Sequence, residues 1–483
     1  MQQSLKKNSI LNAVKSLMAV LFPLITTPYV TRILGVNNVG KYSFSYTFVS
    51  YFLLIAALGI NNYAIREGSA LREKPHELNN FINEVFSINI ISTIISYALL
   101  ILCLLASSKL HQYWQLMMIL SIQIIFTTIG VEWIYSIFED YLFITIRSIV
   151  FQIVSLIVLV LLVKNENDIN MYAWATVISS TGASVWNLYN ARKYCNIRFT
   201  FKCNMRKHIK PILYIFASNV AVTIYVNSDN TLLGFLTSDY YVGLYSLATK
   251  IYRALKTMLS SLVVVSIPRL SHLAGNNKFN EFEQLIGRIF GLLMTFLFPM
   301  ITGIICLNHE IVLSLSNDSY IEACYSVAIL SVATFFCMLS YIYGQCILMP
   351  LKREKITMYA TVISAILNVC LNFLLIPHFR HNGAAFTTVI AEGIVFVIYW
   401  FYIRKTIKIK NSVKVIMQTL IGCVSVAACC SIIKHLNLGY IQTIVFSIIS
   451  SVPLYILTQV LLKNNEVISL FKNIKDKYRS KKI

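Results

Sequence analysis

Apolar segments of about 20 residues follow one another along almost the whole chain, with short polar breaks between them. An α-helix rises 1.5 Å per residue, so about 20 residues cross the ~30 Å hydrocarbon core of a bilayer. A helix also satisfies its own backbone hydrogen bonds in lipid. The pattern therefore predicts fourteen membrane spans, at approximately 10–31, 42–64, 82–106, 114–138, 143–163, 171–190, 210–236, 242–268, 285–306, 322–348, 356–376, 383–403, 414–433 and 440–462.

Composition supports an all-α, polytopic membrane protein. The 483 residues are 57% hydrophobic and 13% charged, with a mean hydropathy of +0.68, whereas soluble domains carry about 25% charged residues. The net charge of +21 does not indicate a nucleic-acid partner. The lysines and arginines lie between apolar segments, whereas a nucleic-acid-binding protein clusters them on a polar fold. The eleven cysteines have no metal-binding spacing. We therefore expect no metal and no cofactor.

The distribution of lysine and arginine predicts the orientation. With the N terminus inside, most of the 41 cations fall in cytoplasmic segments. The opposite face holds Arg32, Lys41, Lys109, Lys164, Arg380 and Lys434. Because cytoplasmic loops are enriched in lysine and arginine, both termini are expected in the cytoplasm. The basic loops would also meet anionic lipid.

The chain contains an internal repeat. Val39-Gly-Lys-Tyr-Ser43 recurs as Val242-Gly-Leu-Tyr-Ser246, and Thr176-Val-Ile178 recurs as Thr388-Val-Ile390. The offsets of 203 and 212 residues each bracket six predicted spans. Repeats of one orientation are typical of transporters that hold substrate between two halves. The predicted organisation is a six-helix lobe at 1–200, a second six-helix lobe at 205–410, a helix pair at 411–465 and a basic cytoplasmic tail at 466–483.

One predicted span carries three cations near its middle. Between Val242 and Arg269, the residues Lys250, Arg253 and Lys256 fall within an arc of about 120° on a helix of 3.6 residues per turn. A cation at the bilayer centre costs about 2.5–3.5 kcal/mol on insertion scales, so such residues face a bundle interior or a wet cavity. Snorkelling to the headgroups suits one cation near a helix end, so three central cations on one face indicate a functional role.

Other charged residues lie in or near the spans. Arg32, Lys41 and Arg66 sit where interfacial anchors are common. Glu132, Asp229 and Glu392 fall within apolar segments, and a carboxylate there must pair, protonate or touch water. They are candidates either for structural pairing with the cations or for proton or ion coupling, and Glu392 is the most central.

Three stretches resemble polysaccharide flippases of the O-antigen translocase (Wzx) type, from the superfamily that includes multidrug extruders and the lipid II flippase. They are PLITTPYVTRILGVNNVGKYSFSYTFVSYFLLIAALGINNYAIRE, GVEWIYSIFEDYLFITIRSIV and IYVNSDNTLLGFLTSDYYVGLYSLATKIYR. The resemblance covers about residues 1–465. It implies a two-lobed bundle with fourteen spans and a central cationic cavity.

The resemblance also implies a function, a location and a set of site residues. A polyprenyl-pyrophosphate-linked oligosaccharide, such as an O-antigen or capsule repeat unit, would move from the cytoplasmic to the outer leaflet of a bacterial inner membrane. A polysaccharide polymerase and a chain-length regulator are candidate partners. Cavity-lining roles fall first on Lys250 and Arg253, with Arg32, Lys41 and Arg66 as further candidates. The last two spans would form a groove for the lipid tail.

Physical chemistry agrees with this interpretation, because arginine and lysine bind pyrophosphate through charge-assisted hydrogen bonds.

Three alternatives to this function remain. A multidrug or other lipid-linked substrate exporter would share the fold, but a drug-cation exporter needs an acidic cavity. A membrane glycan polymerase or transferase needs a positioned base or nucleophile and usually a substantial outer loop, whereas the longest predicted outer loop, at about 307–321, has roughly fifteen residues. A passive scramblase would transport its substrate at a rate independent of ion gradients. We expect instead an acid-coupled antiporter, which is a transporter and not an enzyme.

Overall fold

The computed structural model describes residues 5–200, 205–404, 407 and 412–469. These residues form α-helices joined by short turns, and the described part contains no strand. The helices are α1 Leu5–Ala57, α2 Ile60–Ala70, α3 Pro75–Ala106, α4 Ser108–His111, α5 Trp114–Ile129, α6 Glu132–Ile137, α7 Tyr141–Leu162, α8 Ile169–Thr181, α9 Ser184–Ala191, α10 Met205–Leu236, α11 Asp239–Val264, α12 Ile267–Gly275, α13 Phe279–Cys306, α14 Asn308–Leu315, α15 Ala323–Tyr341, α16 Glu354–Ile403, α17 Ser412–Lys434 and α18 Tyr440–Leu461.

The all-α membrane fold is confirmed, whereas the number of spans stays a prediction. Ten helices of the described part are long and apolar enough to cross a bilayer, and eleven if the bent pair of α11 and α12 counts as one span. Two of the ten candidates are unusually long: Phe22–Ala70, which combines most of α1 with α2, has 49 residues, and Glu354–Ile403, which is α16, has 50. At 1.5 Å per residue each would reach about 75 Å if straight, which is more than two bilayer crossings require.

A break divides each of these long helices where the sequence predicts an outer loop. In α1 the break is Gly35, with φ 70° and ψ 170°, and glycine adopts positive φ without a steric penalty. In α16 it is Arg380, with φ 53°. The predicted loops at about 32–41 and 377–382 are therefore kinks within helices. His381 belongs to this kink and is buried, with Nε2 3.1 Å from the Glu322 carbonyl oxygen.

The chain divides into two compact units, Met1–Gly243 and Leu244–Ile483. The lobe boundary near residues 200–205 that the repeat indicates remains a prediction, as does the separate helix pair. Of the predicted tail at 466–483, only residues up to 469 lie in the described part.

In the first unit, helices α2, α3, α6 and α10 share a buried core that includes Tyr63, Phe81, Trp133 and Ile212. Two helical runs are interrupted in this unit. Val131, with φ 38°, separates α5 from α6, and residues 182–183 separate α8 from α9.

An extended segment at 196–200 lies along α3. Backbone N–H groups of alternate residues donate to side-chain oxygens one helical turn apart, in the pairs Asn196–Asn79 at 2.7 Å, Arg198–Asn83 at 2.8 Å and Thr200–Ser87 at 2.8 Å. The register fits because two extended residues advance about 6.6 Å and four helical residues about 6 Å. The chain leaving α9 is thus attached to the first unit.

In the second unit, α13 is the central helix. Its residues Leu293, Met294 and Leu297 are buried in a core with Leu259 of α11 and Cys337 of α15. A turn of π-helix, Ile342–Leu348, extends α15. Helices α17 and α18 pack together, and α17 also packs on α13.

The internal repeat recurs in the structure as equivalent hydrogen bonds. The hydroxyl of Tyr42 donates to Thr176 Oγ1 at 2.9 Å in the first unit. In the second unit, Tyr245 Oη lies 3.1 Å from Thr388 Oγ1. All four residues belong to the repeated motifs, so the sequence match reflects equivalent helix packing.

The repeated glycines allow one close helix crossing. A Cβ atom at Gly40 of α1 would lie 1.8 Å from the Asp239 carbonyl oxygen, and one at Gly243 of α11 would lie 2.1 Å from the Val36 carbonyl oxygen. Backbone therefore meets backbone at this point, as at small-residue crossings of membrane helices.

Candidate functional site

Helix α11 presents an apolar face and a cationic face. Ile251, Ala254 and Leu255 are buried, whereas Arg253 is exposed and Lys250 and Lys256 are half-buried. Because hydrophobic packing fixes one side of the helix, the three cations project from the other side. The structure therefore retains the cationic face that the sequence predicts.

Glu392 of α16 lies beside this helix. The carboxyl group is buried, with 5% of the residue exposed, and Tyr252 donates its hydroxyl to Oε1 at 2.9 Å. Lys256 interacts electrostatically with Cys337 and Glu392. A buried carboxylate needs a hydrogen-bond donor or an opposite charge, and α11 supplies both.

Glu132 and Asp229 have different surroundings. Glu132 Oε2 lies 3.6 Å from Arg147 Nη2, so it belongs to an ion pair of the first unit. Asp229 of α10 is buried and interacts electrostatically with Tyr51 of α1. Glu392 lies beside Lys256, a cation of α11.

The other predicted cations lie in the first unit. Arg32 and Lys41 are exposed on either side of the Gly35 break in α1. Arg66 of α2 is also exposed, and its Nε lies 2.9 Å from Glu67 Oε1. This contact partly satisfies the Arg66 charge, although exposed ion pairs contribute only about 0–1 kcal/mol.

A groove of about 500 Å³ lies between α13, α14, α17 and α18. Its walls are mainly apolar and include Phe296, Pro299, Ile448, Val452 and Tyr455. The Tyr455 hydroxyl is turned away into a hydrogen bond with the Thr295 carbonyl, at 2.8 Å. The surface is therefore suited to hydrocarbon.

Amide side chains join α17 to α18 on the cytoplasmic side of the predicted topology. Gln459 Nε2 donates to the Gln418 carbonyl at 2.9 Å, and Gln418 Nε2 donates to the Leu462 carbonyl at 2.6 Å. Asn464 Nδ2 donates to Gln459 Oε1 at 2.8 Å. Beyond them, burial raises the pKa of the Glu466 carboxyl, and Arg288 opposes this effect.

Sequence reasoning missed Tyr252, Cys337 and the walls of the groove that α13 and α14 supply. Tyr252 is adjacent to a cation of the stripe, but one tyrosine among 28 gives no signal of its own. Cys337 is distant in sequence from Lys256 and meets it only through helix packing. No group of three or more His, Cys, Asp or Glu residues in the described ranges could hold a metal ion.

Known proteins resemble this chain in sequence and in structure. The model of the polysaccharide biosynthesis protein family matches residues 5–274, and the MatE model matches residues 215–374. A putative O-antigen transporter of Shigella dysenteriae is 26% identical over 386 residues, covering 78% of this chain and 94% of its own length. A putative O-antigen transporter of Escherichia coli (strain K12) is 22% identical over 416 residues, covering 83% and 97%.

Among solved structures, the lipid II flippase MurJ in an inward closed conformation superposes with a TM-score of 0.75. The alignment covers 96% of this chain and 100% of that one, at 16% sequence identity. Similarity at this level of identity concerns the fold.

Proposed function

Since the chain belongs to the polysaccharide biosynthesis protein family, whose model matches more than half of it, we propose that it is a flippase for a lipid-linked oligosaccharide. The substrate is a polyprenyl-pyrophosphate-linked repeat unit of an O-antigen or a capsule. The protein moves this substrate between membrane leaflets by alternating access, as a transporter and not as an enzyme. Relatives described as O-antigen transporters support this assignment.

One observation carries the proposal: the cationic helix and the apolar groove adjoin the same helix. Leu293 and Leu297 of α13 pack in the core that contains Leu259 of α11. Phe296 and Pro299, on another face of α13, line the groove. An amphiphile with an anionic head and a hydrocarbon tail matches this pair of surfaces. The groove is the proposed site of the lipid tail.

The head group binds the cations of α11. A pyrophosphate diester carries about two negative charges, for which guanidinium and ammonium groups are strong partners. Arg253 is the main ligand because it is exposed and presents a planar fork of donors. Lys250 is a second ligand of the head group. Lys256 contributes less because its ammonium group already interacts with Cys337 and Glu392. Arg32, Lys41 and Arg66 of the first unit are further proposed ligands.

Glu392 is the proposed coupling residue. A substrate held by three cations needs a competing anion before release, and this carboxylate already lies beside Lys256. Glu132 is less suited because it is paired with Arg147. Asp229 is buried in the other unit. Membrane potential is the alternative drive, at about 2.3 kcal/mol per charge per 100 mV.

Location and partners follow from this function. The protein acts in the inner membrane of a bacterium, with both termini in the cytoplasm, and transport proceeds toward the outer leaflet. A polysaccharide polymerase and a chain-length regulator receive the product. Transport by this route needs no cofactor.

The test is glycan export in cells whose own flippase gene is deleted. Arg253→Ala abolishes or strongly reduces surface glycan, because hydrogen bonds to a charged group are worth about 1.5–3 kcal/mol. Arg253→Lys partly restores export if charge suffices. Arg269→Ala, an exposed arginine beyond the end of α11, is the matched control. Normal export by a Lys250→Ala, Arg253→Ala double variant at native protein levels refutes the proposed site.

A further inference from the structure

A polar cavity of about 70 Å³ lies inside the first unit, where two helical runs are interrupted. Gly130 lies at the break between α5 and α6, and Ala183 at the break between α8 and α9. Transporters commonly place binding sites at discontinuous helices, because interrupted backbone is tolerated in a membrane only where it lines a cavity or is buried in protein.

The hydroxyl groups of Ser180 and Ser184 line the cavity on either side of the break between α8 and α9. Thr176 lies one turn before Ser180 on α8, and residues four apart share a helix face. Ser180 Oγ donates to the Thr176 carbonyl at 3.0 Å and lies 3.2 Å from Gln123 Oε1. Ser148 Oγ donates to the Ile144 carbonyl at 2.8 Å. Because these hydroxyl groups donate their protons to backbone carbonyl groups, their oxygens remain available as hydrogen-bond acceptors for a ligand.

Two buried polar atoms at this cavity have no hydrogen-bond partner. They are Nη1 of Arg147, a donor, and Oδ1 of Asn187, an acceptor. The contact between Arg147 and Glu132, at 3.6 Å, is too long for a hydrogen bond. Buried polar groups of this kind require a partner such as water or a ligand. The cavity therefore offers one donor and one acceptor that have no hydrogen-bond partner within the protein.

A tyrosine cluster adjoins this face of α8, with Tyr172 on α8 and Tyr42 and Tyr46 on α1. The Tyr42 and Tyr172 rings lie 4.3 Å apart, and those of Tyr42 and Tyr46 lie 5.9 Å apart. Tyr42 also donates to Thr176, which connects the cluster to the hydroxyl face. The ring of Tyr46 is exposed. Exposed aromatic faces give stacking surfaces with a polar edge.

We propose that this cavity and the adjoining tyrosines form a carbohydrate subsite that receives a sugar residue of the transported glycan. The inference rests on the proposed function and assigns the first unit a role in sugar recognition. Arg147 and Glu132 together carry no net charge, so the subsite suits neutral hydroxyl groups better than phosphate. At about 10–15 Å³ per water, the volume holds about five to seven waters, which the edge of a sugar ring replaces.

The experiment is site-resolved cysteine alkylation of the purified, full-length protein in lipid nanodiscs. Ser180→Cys is a near-isosteric reporter at the cavity, and Thr127→Cys is a second cavity reporter in case the first variant folds poorly. Val452→Cys reports on the apolar groove of the second unit. Mass spectrometry of the labelled peptides separates these positions from the natural cysteines.

Two probes are compared with a buffer control. One is the lipid-linked oligosaccharide fraction extracted from the membranes of the source cells, and the other is the same fraction after enzymatic removal of its sugars. The intact fraction is expected to slow alkylation several-fold at residue 180 and at residue 452. The sugar-free polyprenyl pyrophosphate is expected to slow alkylation only at residue 452.

Equal reactivity at residues 180 and 127 with every probe, while residue 452 is protected, overturns the carbohydrate subsite and leaves the flippase function intact. Protection of the cavity by the sugar-free lipid also overturns it, because the contact would then be with the lipid or the phosphates. Absence of protection at all three positions refutes the proposed function and the subsite together.

Discussion

Replacing Gly40 with alanine tests the helix crossing built from the repeated glycines. The added Cβ would lie 1.8 Å from the carbonyl oxygen of Asp239 and 2.9 Å from the amide nitrogen of Gly243, whereas real Cβ contacts are essentially never under 3.0 Å. These neighbours are backbone atoms and cannot rotate away, so α1 and α11 must separate by more than an ångström.

Overpacking of this kind costs about 1–3 kcal/mol. At about 2–4 °C per kcal/mol for a unit of 150–250 residues, the melting temperature falls by roughly 2–12 °C. The assay is thermal unfolding of the purified protein in detergent, followed by intrinsic fluorescence.

Gly393→Ala is the matched control, because the nearest atoms to its added Cβ are 4.0 Å away, on Phe336. Alanine favours a helix over glycine by roughly 0.5–1 kcal/mol, so this variant melts at or slightly above the native temperature. If Gly40→Ala and Gly393→Ala melt alike, the close crossing of α1 and α11 is refuted.

Three further predictions concern coupling, a loop and topology. In vesicles at fixed membrane potential, collapsing the proton and sodium gradients slows native transport, and Glu392→Gln removes that dependence; gradient-independent native transport refutes coupling. The Asp168 carboxyl accepts hydrogen bonds from two backbone N–H groups at 2.9 Å, which lower its pKa below the ordinary 3.8. In hydrogen-exchange measurements, these two amides are expected to stay protected until the pH falls below 3.8. Loss of protection at higher pH contradicts this. Impermeant thiol reagents applied outside reach Asn437→Cys but not Asn277→Cys; the reverse pattern inverts the topology.

Much of the fold is predictable because lipid restricts the backbone to helices of known length. The repeated glycine and tyrosine could also be found in the sequence, and their packing explains why they recur. The kinks at Gly35 and Arg380 were not predictable, because polar residues around them indicate loops equally well. Their helical geometry depends on tertiary packing of the flanking spans.

The candidate site was only partly predictable for a related reason. Helical periodicity gathers Lys250, Arg253 and Lys256 on one face, since they belong to one helix. The approach of Glu392 to Lys256 depends on how α16 packs on α11, which a single sequence does not specify. The polar cavity beside Arg147 also needs two helix breaks, and neither break has a proline to indicate it.

The most direct measurement is lipid-linked oligosaccharide flipping in reconstituted vesicles. The extracted glycolipid is incorporated with the purified protein, and an external glycosidase measures how fast protected inner-leaflet substrate becomes accessible. The native protein is predicted to accelerate this exposure well above protein-free vesicles, and Arg253→Ala is predicted to abolish most of the acceleration. Exposure at the protein-free rate with native protein, or an unchanged rate with Arg253→Ala, would contradict the account.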